Sequence, residues 1–342
     1  MSQASALGIS GLIDLASESL GGKALTASDE FFAGKENLLR PGRGVFLPGE
    51  YTERGKWMDG WESRRKRIPG HDSCVIRLGR RGVVRAFDID TNHFSGNQPP
   101  FASVEGLDAP LGTPLQELER GAWLELVAQS PLLPSSQNLF VAETSGPVTH
   151  LRLNIFPDGG VARFRAYGSV VPEFTRRELD EVARAHVADE LVDLVALENG
   201  GRALACSDAR FGAMNQLILP GRALDMSSGW ETRRNRTGTS DWLLLKLGAR
   251  GTLSVAEIDT AHFIGNFPDR CSLDVLDLPN GCITDVIASQ AWVNVLSEVP
   301  LSADHRHFFG DLRAHGPASH VRLNIFPDGG VSRLRLWGTL HG

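Results

Sequence analysis

The stretch His150–Gly168, "HLRLNIFPDGGVARFRAYG", returns at His320–Gly338 as "HVRLNIFPDGGVSRLRLWG". The copies differ only at Leu151/Val321, Ala162/Ser332, Phe164/Leu334, Ala166/Leu336 and Tyr167/Trp337, so internal duplication is the first reading. Other blocks repeat in the same order. "GWESRRKR" from Gly60 returns as "GWETRRNR" from Gly229, and "DIDTNHFSGN" from Asp88 returns as "EIDTAHFIGN" from Glu257. "GGKAL" at Gly21 matches "GGRAL" at Gly200, and "LLRPGR" ending at Arg43 matches "LILPGR" ending at Arg222. A spacing near 170 residues is too long for a solenoid repeat and suits one domain per copy. The main length difference is a longer Arg43 to Gly60 loop in the first copy.

A chain of 342 residues with 42% hydrophobic and 22% charged residues can fill two cores. No apolar run approaches the roughly 20 residues of a spanning helix, so no membrane partner is expected. The start, "MSQASALGISGLIDLASESLGG", lacks a basic segment followed by an apolar one and reads as a flexible lead-in, not a secretory signal. Cys74, Cys206, Cys271 and Cys282 have no metal-ligand spacing and no counterpart in the other repeat. Reduced thiols and a cytoplasmic location are the expectation. A net charge of -6 opposes general affinity for nucleic acid, and none is expected as partner.

On both sides of Pro-Asp-Gly-Gly apolar and polar residues alternate, which predicts a hairpin. Pro157 and Asp158 suit a type I turn and Gly159 the positive φ that closes it, as do Pro327, Asp328 and Gly329. Leu153 and Ile155 then face away from Arg152, Asn154 and Phe156. "SCVIRLG", "VVRAFDID", "WLLLKLG" and "LSVAEID" are further strand-like runs between glycine-rich turns. The fold class is all-β, a tandem duplication of a jelly-roll sandwich. Thr175 and Glu178 form a capping box opening "TRRELDEVARAHVADELVDLV", which predicts a helical linker. The boundaries follow: lead-in 1–20, first repeat 21–172, linker 173–195, second repeat 196–342.

Three repeated constellations carry chemistry. In "IDTxHFxGN", Asp88 and Asp90, or Glu257 and Asp259, project to one face, and His93 or His262 follows three residues after the second acid. The set suits general acid and base work or contributes ligands to a divalent metal, but it falls short of a full shell. A turn-capping Asp above a packed His explains the same residues. In "GWExRRxR", Arg64/Arg65 and Arg233/Arg234 suit a carboxylate, with Glu62 and Glu231 as candidate acids; a solvated basic loop beside a core Trp is the bland reading. Third, Arg152, Asn154, Arg163 and Arg165, with Arg322, Asn324, Arg333 and Arg335, are read as cross-strand pairs on the outer face, where His150 and His320 are also placed. No GxSxG, P-loop, HExxH or CxxC pair is present, which removes the hydrolases those motifs mark.

At "FFAGKENLL", "GKWMDGWESRRKR", "FDIDTNHFSGNQPP" and "HLRLNIFPDGG", and at their second-repeat forms, the sequence resembles the allantoicase (allantoate amidinohydrolase) family. The resemblance covers nearly the whole chain. It implies tandem galactose-binding-like jelly rolls and the hydrolysis of allantoate to ureidoglycolate and urea in purine catabolism. Allantoate as substrate gives the residues roles: Arg64/Arg65 or Arg233/Arg234 for its carboxylate, Asn97 or Asn266 for a ureido group. Asp90 with His93, or Asp259 with His262, would move the protons, with Glu62 or Glu231 as second acid. No cofactor is obligatory and a divalent metal stays open, as do a homo-oligomer and a cleft shared by both repeats. A non-enzymatic carbohydrate- or ligand-binding double jelly roll, and a hydrolase of another ureide, are the alternatives.

Overall fold

The computed structural model describes residues 12–143, 146–174, 179–236 and 239–341. The chain folds as two units, Met1–Val171 and Pro172–Gly342. The first contains β1 (Ile13–Asp14), β2 (Lys23–Ala27), β3 (Tyr51–Thr52), β4 (Gly55–Lys56), β5 (Trp61–Glu62), β6 (Asp72–Asp90), β7 (Phe101–Leu107), β8 (Leu124–Pro131), β9 (Gln137–Val141), β10 (Val148–Phe156), β11 (Gly160–Val161) and β12 (Arg163–Val170). A short helix, α1 (Leu115–Glu119), lies between β7 and β8.

The 19-residue β6 is the spine of this jelly roll. Its first half lies between β2 and β10 in a sheet of order β2-β6-β10-β7-β8; its second half pairs with β12 from Gly82 and also with β9 from Ala86, in a sheet of order β9-β6-β12-β1. All pairings are antiparallel. The changeover needs bare backbone. A Cβ on Gly79 would stand 2.5 Å from the Leu20 carbonyl oxygen, and one on Gly82 would stand 2.6 Å from Leu15.

Cys74, Ile76 and Leu78 point inward, but an irregularity in pairing between Tyr167 and Gly168 then shifts the alternation by one. Phe87 and Ile89 therefore point inward, Phe87 stacking on Phe164 at 5.7 Å, while Asp88 and Asp90 point outward. Each such apolar side chain contributes about 1.5–3 kcal/mol on burial. The core thus fixes which face carries the acids.

Two expectations are corrected. Pro-Asp-Gly-Gly does not close a hairpin, because β10 and β12 pair with different halves of β6 and not with each other. The segment carries the chain from one sheet to the other, with cis Phe156–Pro157 and Phe326–Pro327 bonds and positive φ at Gly159 (138°) and Gly329 (135°). His150 and His320 are buried, not on an open outer face. Thr149 Oγ1 and His150 Nδ1 lie 2.9 Å apart, and the segment carrying α1 covers part of that face.

The second unit repeats the plan with β13 (Val192–Asp193), β14 (Arg202–Cys206), β15 (Trp230–Glu231), β16 (Asp241–Asp259), β17 (Arg270–Leu276), β18 (Val293–Pro300), β19 (Arg306–Phe309), β20 (Ala318–Phe326), β21 (Gly330–Val331) and β22 (Arg333–Leu340). Here β16 is the spine of sheets ordered β14-β16-β20-β17-β18 and β19-β16-β22-β13. Two α-helices are described in this unit, α2 (Glu181–Arg184) and α3 (Ile283–Ala288). Among the described residues the expected linker helix is the four-residue α2 alone, capped by Asp180, whose carboxylate accepts from Ala183 N at 2.9 Å. Leu179, Ala183 and Val187 bury this segment against Val255 and Trp337 of its own unit. Thr175 and Glu178, the expected capping box, lie outside the described residues. The first unit already includes Ile13 and Asp14, paired with Gly168 and Tyr167, within the segment expected as lead-in. Among the described residues no helix is long and apolar enough to cross a membrane.

Candidate active site

On the outer face of β6, register sets Asp88 opposite Arg165 and Asp90 opposite Arg163, both of β12. The loop before β5 folds over this face. Arg43 grips Asp90 with two parallel bonds, Nε to Oδ2 at 2.8 Å and Nη2 to Oδ1 at 2.9 Å. Asp90 is only 2% exposed, and the bidentate contact satisfies both of its oxygens. Arg165 Nη2 donates to the carbonyls of Arg40 and Gly42, and Arg163 Nη2 donates to Asp59 Oδ2 at 2.6 Å. Burial opposes ionisation of Asp59, but Arg163 and the Val45 N–H outweigh it and hold that carboxyl below its usual range. The loop is therefore pinned by guanidinium groups rising from the sheet.

Asp88 differs from its neighbours. Its Oδ2 accepts from Gln137 Nε2 of β9 at 2.7 Å, and its buried Oδ1 has no hydrogen-bond partner among the described residues. Arg165 Nη1, also buried, has none either. Burial pushes the Asp88 carboxyl up to about 6, and the nearby Asp90 charge adds to the effect, against relief from the Gln137 bond, Arg165 and Arg43. A neutral amide stabilises the anion less than a guanidinium would. This leaves a carboxyl that changes protonation near neutral pH, beside fixed positive charge.

The second unit departs at that point. Arg222 meets Asp259 at 3.1 Å as Arg43 meets Asp90, but the Gln137 position is Arg306, whose guanidinium contacts Glu257 Oε1 at 2.8 and 2.7 Å. Arg306 also bonds both Asp180 oxygens, at 3.0 and 2.9 Å. Arg333 donates to the Ser228 carbonyl and Arg335 to those of Leu219 and Gly221. A pocket of about 190 Å³ lies over this cluster, walled by Leu179, Ala183 and Trp337. Its floor acid is ion-paired, whereas Asp88 is bonded to an amide.

The remaining sequence candidates separate. His93 and His262 both take positive φ (68° and 71°) and are exposed. The His93 ring lies 5.7 Å from Phe46, and His262 Nε2 lies 3.0 Å from the Ala223 carbonyl. Neither imidazole bonds the acid three residues before it, because both oxygens of Asp90 face Arg43 and the backbone N–H of Asn92. Glu62 and Asn97 do meet, Asn97 Nδ2 donating to Glu62 Oε1 at 2.8 Å, as do Asn266 and Glu231 at 2.6 Å. Burial raises Glu62 against the opposing Asn97 bond. Arg64 binds Asp29 through both N and Nε, and Arg233 binds Asp208 in the same way. With the Trp61 indole donating to the Asp29 carbonyl, this is a loop clasp. Arg65 and Arg234 are exposed. None of Arg233, Arg234 and His262 lines the pocket above Glu257 and Asp259.

The arginines at this face are the ones expected as surface pairs: Arg163 and Arg333 are 4% and 5% exposed. The repeated "PGR" ending at Arg43 and Arg222 was a signal that could have found the grip on Asp90 and Asp259. Gln137 and Arg306 differ between the copies and left none. No group of three or more His, Cys, Asp or Glu side chains able to hold a metal occurs among the described residues.

Fold and face together define a class: a duplicated jelly-roll protein with a buried carboxylate–guanidinium cluster on one sheet of each copy. An allantoicase repeat model matches residues 13–171 and 192–341. The chain is 46% identical to "Probable allantoicase 1" of Burkholderia mallei, across 96% of this chain and 94% of that one. It is 45% identical to a "Probable allantoicase" of Pseudomonas paraeruginosa, across 95% of each. The solved allantoicase of Saccharomyces cerevisiae superposes with a TM-score of 0.81 at 34% identity, over 99% of both chains. The chain belongs to the allantoicase family.

Proposed function

We infer that this protein hydrolyses allantoate to ureidoglycolate and urea, a step of purine catabolism, and that the first repeat performs the chemistry. Family membership over both repeats supports the reaction. The single observation that favours the first repeat is Asp88, a buried carboxyl lifted to about 6 and lacking the arginine that its counterpart Glu257 has.

The reaction breaks one C–N bond of the central carbon and forms a C–O bond to water. Ionised at neutral pH, Asp88 accepts a proton from water as the C–O bond forms and passes it to the departing ureido nitrogen, so no net proton is lost. Arg165, which faces Asp88 across β12 and β6, is the cation assigned to the substrate carboxylate. Asp90 holds Arg43 in place, and Arg43 closes the site with its half-exposed side chain. Glu62, bonded by Asn97, is the second candidate acid, as is Glu231, bonded by Asn266, in the other copy; His93 and His262 are exposed and have no acid partner.

The test is urea release from allantoate by the purified protein, with and without added divalent metal. Release that Asp88→Asn abolishes supports the reading. No release under either condition overturns the enzyme, and activity on another ureide in preference to allantoate overturns the substrate.

A further inference from the structure

The other sheet of the first unit carries a second concavity, of about 590 Å³, on the outer face of β6, β7 and β10. Its floor is a bonded polar row: Arg152 Nη1 contacts Glu105 Oε2 at 3.2 Å, and Asn154 Nδ2 donates to Ser103 Oγ at 3.1 Å and to Glu105 Oε2 at 3.0 Å. Because Nδ2 must face the Glu105 carboxylate, the Asn154 amide has a fixed orientation. Its carbonyl oxygen is then a buried acceptor with no hydrogen-bond partner among the described residues, on a side chain 5% exposed that lines the cavity. The Trp123 ring forms a wall, held 4.1 Å from the Arg152 guanidinium.

The second unit provides an internal comparison. It keeps the same row, with Arg322 on Asp274 at 2.9 Å, Asn324 on Ser272 and Asp274 at 3.0 and 2.9 Å, and Trp292 beside Arg322. What changes is the adjoining strand. Ser73 and Val75 of β6 correspond to Trp242 and Leu244 of β16, which pack with Leu276 and Val286 into an apolar cluster. The fold therefore does not require the space in the first copy, since the second fills it with an indole. Small residues at Ser73 and Val75 keep it accessible to a ligand.

Charge sets the kind of ligand. Glu105, Glu119 and Glu125 line the cavity against the single Arg152, an excess of two negative charges, which disfavours a carboxylate such as that of allantoate. An orphaned carbonyl, carboxylates and hydroxyls ask for N–H donors, and the flat indole suits a planar group. We propose that this cavity is a binding site, separate from the Asp88 face, for a small planar compound that carries several N–H donors and no negative charge, the chemistry shared by ureido and guanidino groups.

The test uses the full chain with two probes, biuret as the neutral form and agmatine as the cationic one, and allantoate as the anionic control, followed by calorimetry and Trp fluorescence. One or both probes bind the parent protein, and the two arms tell neutral from cationic preference. The Ser73→Trp/Val75→Leu double variant, which imports the second copy's residues, loses that binding while its allantoate turnover stays unchanged. Asn154→Leu, measured separately in case the double variant does not fold, weakens binding by at least about tenfold. The proposal is overturned if neither probe binds the parent protein, if binding survives both variants, or if allantoate displaces the probes in the Asp88→Asn background. Probe binding is read by calorimetry and fluorescence without urea release, so its failure is distinct from failure of the assigned reaction.

Discussion

Gln137 donates to Asp88 at 2.7 Å across β9 and β6, and at the same place in the second unit Arg306 ion-pairs Glu257. One amide-for-guanidinium difference separates a carboxyl that titrates near neutrality from one that is paired. Gln137→Arg is expected to lower the Asp88 pKa by at least about one unit, because an adjacent guanidinium favours the anion. Urea release should fall by about tenfold or more as the carboxylate becomes a weaker base. Unchanged rate and pH profile in the variant would show that the Gln137 contact does not set the function of Asp88.

The pH dependence has a definite sign. Asp88 ionises near 6 in the folded protein and near 3.8 when unfolded. If its anion takes the proton from water, kcat/KM rises with pH up to about 6 and levels above it. Stability moves the other way, because the unfolded state loses this proton first: the contribution of Asp88 falls as pH rises from about 4 to 6 and is constant above. Asp88→Asn should remove both slopes, measured by rate profiles and by denaturant titration across that window. An acid limb that persists in residual Asp88→Asn activity would assign it to another group, with Glu62 first in line.

Asp90 is 3% exposed at its side chain and Arg43 50% exposed, so the two ends of their pair are not equivalent. Arg43→Ala leaves a buried carboxylate without its cation and is expected to cost about 2–3 kcal/mol, below the fully buried case because Arg43 is half in water. The Asp90→Asn/Arg43→Ala double variant should recover part of that loss. Chemical denaturation of the three variants checks this; strictly additive losses would deny the coupling.

His93 is exposed and makes no side-chain bond to Asp90. His93→Asn is therefore expected to change kcat by less than about tenfold, below the range for loss of a general acid or base. A loss of about a hundredfold or more would return the imidazole to the mechanism.

Gly160 faces the Phe94 ring so closely that a Cβ would lie 2.0 Å from it, and Gly330 meets Phe263 at the same distance. Gly160→Ala should lower Tm by several degrees through forced displacement of Phe94, an overpacking cost of about 1–3 kcal/mol. A melting temperature unchanged within a degree would contradict the close packing.

Much of the fold was legible because duplication repeats each constraint: the alternating residues around "LNIFPDGG" and the strand-like runs "VVRAFDID" and "LSVAEID" recur at one spacing. The crossing between sheets at Pro-Asp-Gly-Gly was not legible and read as a hairpin, since local alternation cannot tell whether two strands pair with each other or with two halves of β6. For the same reason Arg163 and Arg165 read as surface pairs. Their burial depends on a loop more than 100 residues earlier in the chain, through Asp59 for Arg163 and through the Arg40 and Gly42 carbonyls for Arg165. The acids of "DID" and "EID" were found by pattern, but their partners Arg43 and Gln137 lie 47 and 49 residues from Asp90 and Asp88.

The most direct test of the central claim is urea release from allantoate by Asp88→Asn and by Glu257→Gln, each compared with the parent protein. Asp88→Asn is expected to lose activity by at least about a thousandfold, consistent with removal of the proton-accepting group, while Glu257→Gln keeps it within about tenfold. Full activity in Asp88→Asn, or abolition in Glu257→Gln with Asp88 intact, would contradict the assignment of the chemistry to the first repeat.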